Sequence, residues 1–195
     1  MNVSALEEYG LRCAVRLASL GVPGSKKADT LSAPEIAELE GLSVEYVSKF
    51  MLHLKRAGLV RTVRGMKGGF ALAKPAGEIS LKEVFEALGG RRRVSEEFCK
   101  SFSGKSETCV RHEGCTIRPF WQVLSLYIEK FTSEMTLEDF LKTDAETFAK
   151  TEEIARQNVD QMRAMRDARE NKGAALKLKS TTKTLSKTSS ERESS

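Results

Sequence analysis

The sequence predicts a mainly α fold with one small β-hairpin and a long apolar helix behind it. Three observations carry this. Apolar residues recur at three- and four-residue steps through most of the first ninety positions. One short stretch, LVRTVRGMKGGFALAKP, breaks that period with two apolar runs around a Gly-rich tip. Residues 117–133 form the most hydrophobic helical stretch of the chain.

The elements follow in order. Residues 4–20 read as a helix with Leu6, Tyr9, Cys13, Leu17 and Leu20 on one side, and Ser4 with Glu7 forms a capping box at its start. GVPGSKKADT has Gly, Pro and charge without a period and reads as a loop. Ser32 is the N-cap of a second helix with Pro34 and Glu35 in its first turn and an apolar face of Ile36, Ala37 and Leu39. Gly41 breaks it. Ser43 restarts a helix whose buried side is Val44, Val47, Phe50, Met51 and Leu54, and Gly58 ends it after Lys55 and Arg56. A short helix, a tight turn with Gly and a second helix form a helix-turn-helix. The hairpin follows at once: Leu59, Val60 and Val63, then Phe70 and Leu72, flank Arg64-Gly65-Met66-Lys67-Gly68-Gly69. A hairpin attached there is a wing.

Ser80 caps another helix to about Leu88, with Val84, Phe85 and Leu88 inward. Residues 89–114 are Gly-, Ser- and charge-rich and have no period, and a loop of that length is uncommon unless functional. In 117–133, Phe120, Val123, Leu124, Tyr127, Ile128 and Phe131 form one wide stripe, with Trp121 and Leu126 beside it. That stripe is expected to pack on its own domain, on a second subunit, or on both. A short closing helix begins near Thr136. Residues 145–170 are charged but helix-compatible, and 171–195 read as a disordered tail.

Composition narrows function. The chain of 195 residues carries a formal charge of +5. From Ser43 to Lys74 there are seven Lys or Arg and one acid, Glu45. That segment alone exceeds the excess of the whole chain, and it covers the second helix of the pair and the wing. In a helix-turn-helix the second helix enters the major groove with its N-terminal residues at the base edges. The candidate contacts to double-stranded DNA are Ser43, Glu45, Tyr46, Ser48, Lys49 and Lys55, with Arg61, Arg64, Gly65 and Lys67 from the wing. An Arg on a narrow Gly turn can enter the minor groove, and Gly65, Gly68 and Gly69 would allow positive backbone angles there. No run of eighteen apolar residues spans a membrane, no signal peptide is evident, and a cytoplasmic protein is expected. With two His, no Ser-His-Asp set and no phosphate-binding loop, an enzyme is not expected.

Three of the four cysteines, Cys99, Cys109 and Cys115, fall within seventeen polar residues. Clustered reduced thiols point to a soft metal centre, either zinc or an iron–sulfur cluster, or to a thiol switch. Spacing alone does not choose, because His112 with the three Cys would complete a zinc set. Cys13 stands apart in a helical pattern and reads as a small buried hydrophobe.

The N-terminal helix, the helix-turn-helix ending KRAGLV, the wing TVRGMKGGFALAK, the three-Cys loop and the long apolar helix together resemble the IscR/NsrR/RirA family of bacterial winged-helix iron–sulfur regulators (Rrf family). The resemblance covers residues 1 to about 142. It implies a winged helix-turn-helix plus a long dimerisation helix, a homodimer on a palindromic operator, and a 2Fe–2S or 4Fe–4S cluster on Cys99, Cys109 and Cys115. Family members complete that site with a His three residues past the last Cys or with a carboxylate from the partner's first helix. Here the first position is Arg118, and Glu8 in LEEYGLRCAVRLA matches the second, with His112 as its rival. The gap between Cys99 and Cys109 is nine residues rather than the commoner five. The implied organisation is a DNA-binding domain at 1–88, a cysteine loop at 89–116, dimerisation and closing helices at 117–142, and a charged helical extension with a tail at 143–195. The implied function is a transcriptional regulator, such as a repressor, that senses iron or iron–sulfur status, nitric oxide or redox state. A zinc-stabilised or thiol-switch DNA-binding protein without a cluster is the alternative.

Overall fold

The computed structural model describes residues 4–21, 30–65, 68–89, 105, 109, 111, 114–164 and 167. The chain divides into two units, Met1–Ile154 and Ala155–Ser195. In the first unit the helices are α1 (Ala5–Ala18), α2 (Ala33–Glu40), α3 (Val44–Arg56), α4 (Leu81–Ala87) and α5 (Arg118–Glu134), with strands β1 (Val60–Val63) and β2 (Gly69–Leu72) between α3 and α4. Residues 144–164 are helical, and the second unit holds the end of that helix. No helix of the described residues is long and apolar enough to cross a membrane.

Local chemistry sets the helix starts. Ser4 with Glu7, Ser32 with Glu35 and Ser80 with Glu83 form capping boxes, so each serine hydroxyl accepts an orphan N–H while the glutamate accepts from the serine backbone. Ser43 caps α3 alone, accepting from the Tyr46 N–H at 3.3 Å. Gly41 closes α2 in the left-handed region at φ 65°, and this lets the cap of α3, Ser43, follow two residues later at a new angle.

One core joins α1, α2, α3, α4 and the hairpin. Cys13, Ile36, Val47, Phe50, Met51, Leu54, Ile79 and Val84 are fully buried in it. Two residues expected there are not: Leu39 and Val44 are 45 % and 41 % exposed. Both lie on the outer side of their short helices, where Ile36, Ala37 and Val47 already fill the contact. Phe85 packs instead on a second cluster of Leu81, Met135 and Ile154.

The hairpin pairs Val60 with Leu72 and Val63 with Gly69, antiparallel. Leu31 adds a bridge the sequence pattern does not announce: its N–H donates to Phe70 O at 3.1 Å, and the Phe70 N–H donates back at 2.7 Å. The wing is thus tied to the chain just before α2. The closing segment Leu137–Leu141 is a 3-10 helix. It is anchored where the Leu81 N–H donates to Met135 O at 2.8 Å and the Leu137 N–H to Ile79 O at 3.0 Å. Glu40, its side chain 7 % exposed, holds α2 to α1 through Arg16 at 2.6 Å and Arg12 at 3.1 Å.

Candidate nucleic-acid interface and cysteine site

Helix α3 has two sharply separated faces. Val47, Phe50, Met51 and Leu54 point into the core, and Glu45, Ser48, Lys49, Leu52 and Arg56 lie opposite, all exposed. Counted from Glu45, the outer residues lie three, four, seven and eleven positions on, as one helical face requires. The structure therefore brings Glu45, Ser48 and Lys49 together on a single outward surface. Lys55 is also exposed, at the side of that face. Ser43 is exposed but its hydroxyl is engaged as the cap of α3. Tyr46 is 53 % exposed, and its ring leans on Phe50 with 5.6 Å between centroids, which leaves the phenol at the flank of the helix. Leu52 and Arg56 were not among the expected contacts, although the same period run on from Ser48 and Lys49 reaches both.

On the wing, Arg61 is exposed on β1, and Arg64 and Gly65 are exposed at the tip. Lys67 lies outside the described residues. The Gly68 N–H donates to Gly65 O at 2.9 Å and closes the turn. The three glycines serve different ends. Gly65 takes φ 127°, a conformation side chains rarely adopt. Gly68 and Gly69 do not adopt positive φ, contrary to expectation. A Cβ at Gly69 would stand 2.5 Å from Leu31 O, so this glycine is needed for close backbone approach. Among the described residues, Lys49, Lys55, Arg56, Arg61 and Arg64 make no ion pair, whereas Arg12, Arg16, Lys74, Lys82 and Lys142 each hold a carboxylate. Unpaired cations on one helix face and the adjoining wing are what a polyphosphate surface requires.

At the cysteine site, Cys109 and Cys115 are half-buried free thiols, and Cys99 and His112 lie outside the described residues. Glu8 is exposed on α1, and among the described residues no hydrogen bond or ion pair engages its carboxylate. It helps line a cavity of about 590 Å³ together with Leu11, Arg12, Arg16, Glu40 and Phe140. Among the described residues of one chain, no three His, Cys, Asp or Glu gather as a metal site. The expected set draws Cys99 from outside those residues and Glu8 from a second chain. The two described thiols, Cys109 and Cys115, fit a soft metal centre in kind, whereas the uncommitted Glu8 carboxylate is a hard donor. Cys13 is the opposite. Burial, aided by Glu40 and opposed by Arg12, pushes its thiol up to about 12, so it stays protonated and inert.

Comparison with known proteins places these features in a lineage. The sequence model of the Rrf2 family, described as an iron-dependent transcriptional regulator, matches residues 3–143. The transcriptional regulator NsrR of Oceanobacillus iheyensis is 32 % identical over 149 residues, covering 76 % of this chain and 95 % of its own. The regulator IscR of Cereibacter sphaeroides is 29 % identical, covering 74 % and 89 %. Among solved structures, T. potens IscR superposes with a TM-score of 0.54 at 26 % identity, covering 72 % of this chain and 86 % of its own. CymR, the global cysteine regulator of B. subtilis, has the same fold at a TM-score of 0.55 and 24 % identity, covering 72 % and 95 %. These relatives are transcriptional regulators rather than enzymes, and on the match of residues 3–143 the chain belongs to the Rrf2 family of transcriptional regulators.

Proposed function

We propose that this regulator acts as a homodimer that grips a palindromic operator with two copies of α3 and two wings, under the control of an iron–sulfur cluster. The observation that supports the DNA reading is the exposed outer side of α3 together with exposed Arg61 and Arg64 of the wing, whose five cations make no ion pair among the described residues. Ser48, Lys49 and Glu45 face the base edges, Tyr46, Lys55 and Arg61 hold phosphates, and Arg64 and Gly65, with Lys67, enter the minor groove. The second copy is supported by α5, on which Phe120, Trp121, Val123 and Leu126 are 42–60 % exposed.

Cys99, Cys109 and Cys115 are the proposed ligands, with Glu8 of a second copy as the fourth and His112 as its rival. Such a cluster supplies redox- and ligand-sensitive iron chemistry when bound. The chain's own part is to present soft thiolates and one hard oxygen, a weaker donor to iron, so that the site opens readily to nitric oxide, oxidants or loss of iron. Because Glu8 lies on α1, which packs on α2 and α3, a change in what holds it reaches the DNA-reading helix.

The test is anaerobic purification of the wild type, Cys109→Ala and Glu8→Ala, with absorption spectra, iron, sulfide and zinc analysis, and sedimentation. Brown dimeric protein with stoichiometric iron and sulfide, lost in Cys109→Ala and labile in Glu8→Ala, is the expected result. Colourless protein with one zinc per chain overturns the cluster reading and leaves a zinc-stapled DNA-binding protein. Metal-free protein points to a thiol switch. Lys55→Ala and Arg61→Ala, which remove proposed phosphate contacts, each lower the salt slope of DNA binding by about one unit.

A further inference from the structure

We propose that Leu52 is a base-reading residue that recognises the methyl group of a thymine, so that each half-site carries a thymine opposite the third turn of α3. The proposal rests on the DNA-binding reading above and extends it to the operator's own chemistry. A helix lying in the major groove presents bases with side chains at steps of zero, three, four and seven. Counted from Glu45 on the outward face of α3, those positions are Glu45, Ser48, Lys49 and Leu52. Leu52 is 45 % exposed and takes no part in the core that holds Val47, Phe50, Met51 and Leu54.

A single exposed leucine on an ordinary surface needs no explanation. This one sits among Ser48, Lys49, Lys55 and Arg56, on the face that would lie against DNA. It has no donor or acceptor, so opposite guanine, adenine or cytosine it would strip water from polar base edges and return no hydrogen bond. The thymine methyl is the one apolar group the four bases place in the major groove. Tyr46 does not compete for the role, because its ring is held to the flank against Phe50.

The experiment uses the full chain. Preferred duplexes are selected from a random pool by the wild type, and each thymine is then replaced singly by deoxyuridine, which removes only the methyl group. Affinities are measured for the wild type, Leu52→Ala and Leu52→Met. One deoxyuridine position per half-site is expected to weaken the wild type and Leu52→Met about fourfold, the worth of one buried methyl-sized group, and to leave Leu52→Ala unchanged. Equal losses in wild type and Leu52→Ala at every position, or no loss in the wild type, overturn the proposal while DNA binding stands. A pool that yields no enriched sequence overturns the DNA-binding reading, and this inference with it.

Discussion

Helices α3 and α5 are both rich in large apolar side chains, and a single chain treats them differently. On α3, Val47, Phe50, Met51 and Leu54 are all fully buried, and the serine cap and core contacts are complete. On α5 only Thr132 is buried. Phe120 is 60 % and Trp121 51 % exposed, and the helix begins at Ile117 with no side-chain cap. The difference is graded along α5 itself. Its C-terminal end is tied down where Phe131 packs beside Leu81 and Met135 and where Lys82 meets Glu129 at 2.6 Å, while its N-terminal half projects apolar surface that one chain does not cover. The winged-helix part is thus finished within one chain, whereas the N-terminal half of α5 is left half-exposed.

The sharpest way to break that contrast is at its finished end. Phe50→Ala removes a fully buried ring from the centre of the core, and a loss of about 3–5 kcal/mol in urea denaturation is expected. A loss below about 1 kcal/mol would mean that α3 is loosely held and that its outward face is not a fixed reading surface. The thiols give a second contrast. Cys13, pushed to about 12 by burial, should react with maleimide at pH 8 at least about a thousandfold more slowly than an unperturbed thiol. Cys109 and Cys115, half-buried and free, should label in the folded protein once it is stripped of metal. Mass spectrometry of trypsin fragments after a short pulse separates them, and early labelling of Cys13 would contradict the closed core.

The unfinished end is probed by Phe120→Glu. With the ring 60 % exposed in one chain, folding stability should change by less than about 0.5 kcal/mol. If α5 pairs with a second copy as proposed, self-association should weaken by more than about tenfold in sedimentation, because a charge buried in that apolar contact would be left unpaired. An unchanged sedimentation profile would remove α5 from the proposed dimer contact.

Much of this was legible in the sequence because the signals are local. Ser-x-x-Glu boxes at Ser4, Ser32 and Ser80 mark helix starts by the hydrogen bonds they make within four residues, and the three-four period of Val47, Phe50, Met51 and Leu54 marks the inner face of α3. What failed was set at longer range. Val44 and Leu39 fit a helical period but fall outside the contact, since where a short helix meets its neighbour is decided by the neighbour. Leu31 pairs with Phe70 across thirty-nine positions of sequence, and no pattern around Leu31 reports that. Gly69 looks like any turn glycine until the Leu31 carbonyl is placed 2.5 Å from its missing Cβ. At the cysteine site the sequence offers donor types without their assembly, because the proposed ligand set, divided between a loop and a second chain, would leave no periodic trace.

The smallest expected effect lies where the two regions join. The start of α4 bridges to Thr136, just past the end of α5, and Ser80 caps it, its hydroxyl accepting from the Glu83 N–H at 3.3 Å. Glu83 in turn accepts from the Ser80 N–H at 2.9 Å and from the Lys74 ammonium at 2.7 Å. Ser80→Ala should cost about 1 kcal/mol. Burial works to raise the Glu83 carboxyl, but the hydrogen bonds from Lys74 and Ser80 outweigh it and hold the group below its ordinary value. A carboxylate held lower in the folded state than in the unfolded one stabilises above the unfolded value, near 4.3 for glutamate. That stabilisation fades as pH falls through the depressed folded value. The side chain is 39 % exposed, so solvent screens the pair and the contribution is small. Between pH 6 and 3 the wild type should therefore lose slightly more stability than Glu83→Gln, which has no charge to neutralise. Parallel curves would show that water, rather than Lys74, governs this carboxylate, and that the anchored end of α5 is held by the backbone bonds from Leu81 to Met135 and from Leu137 to Ile79 and by the packing around them.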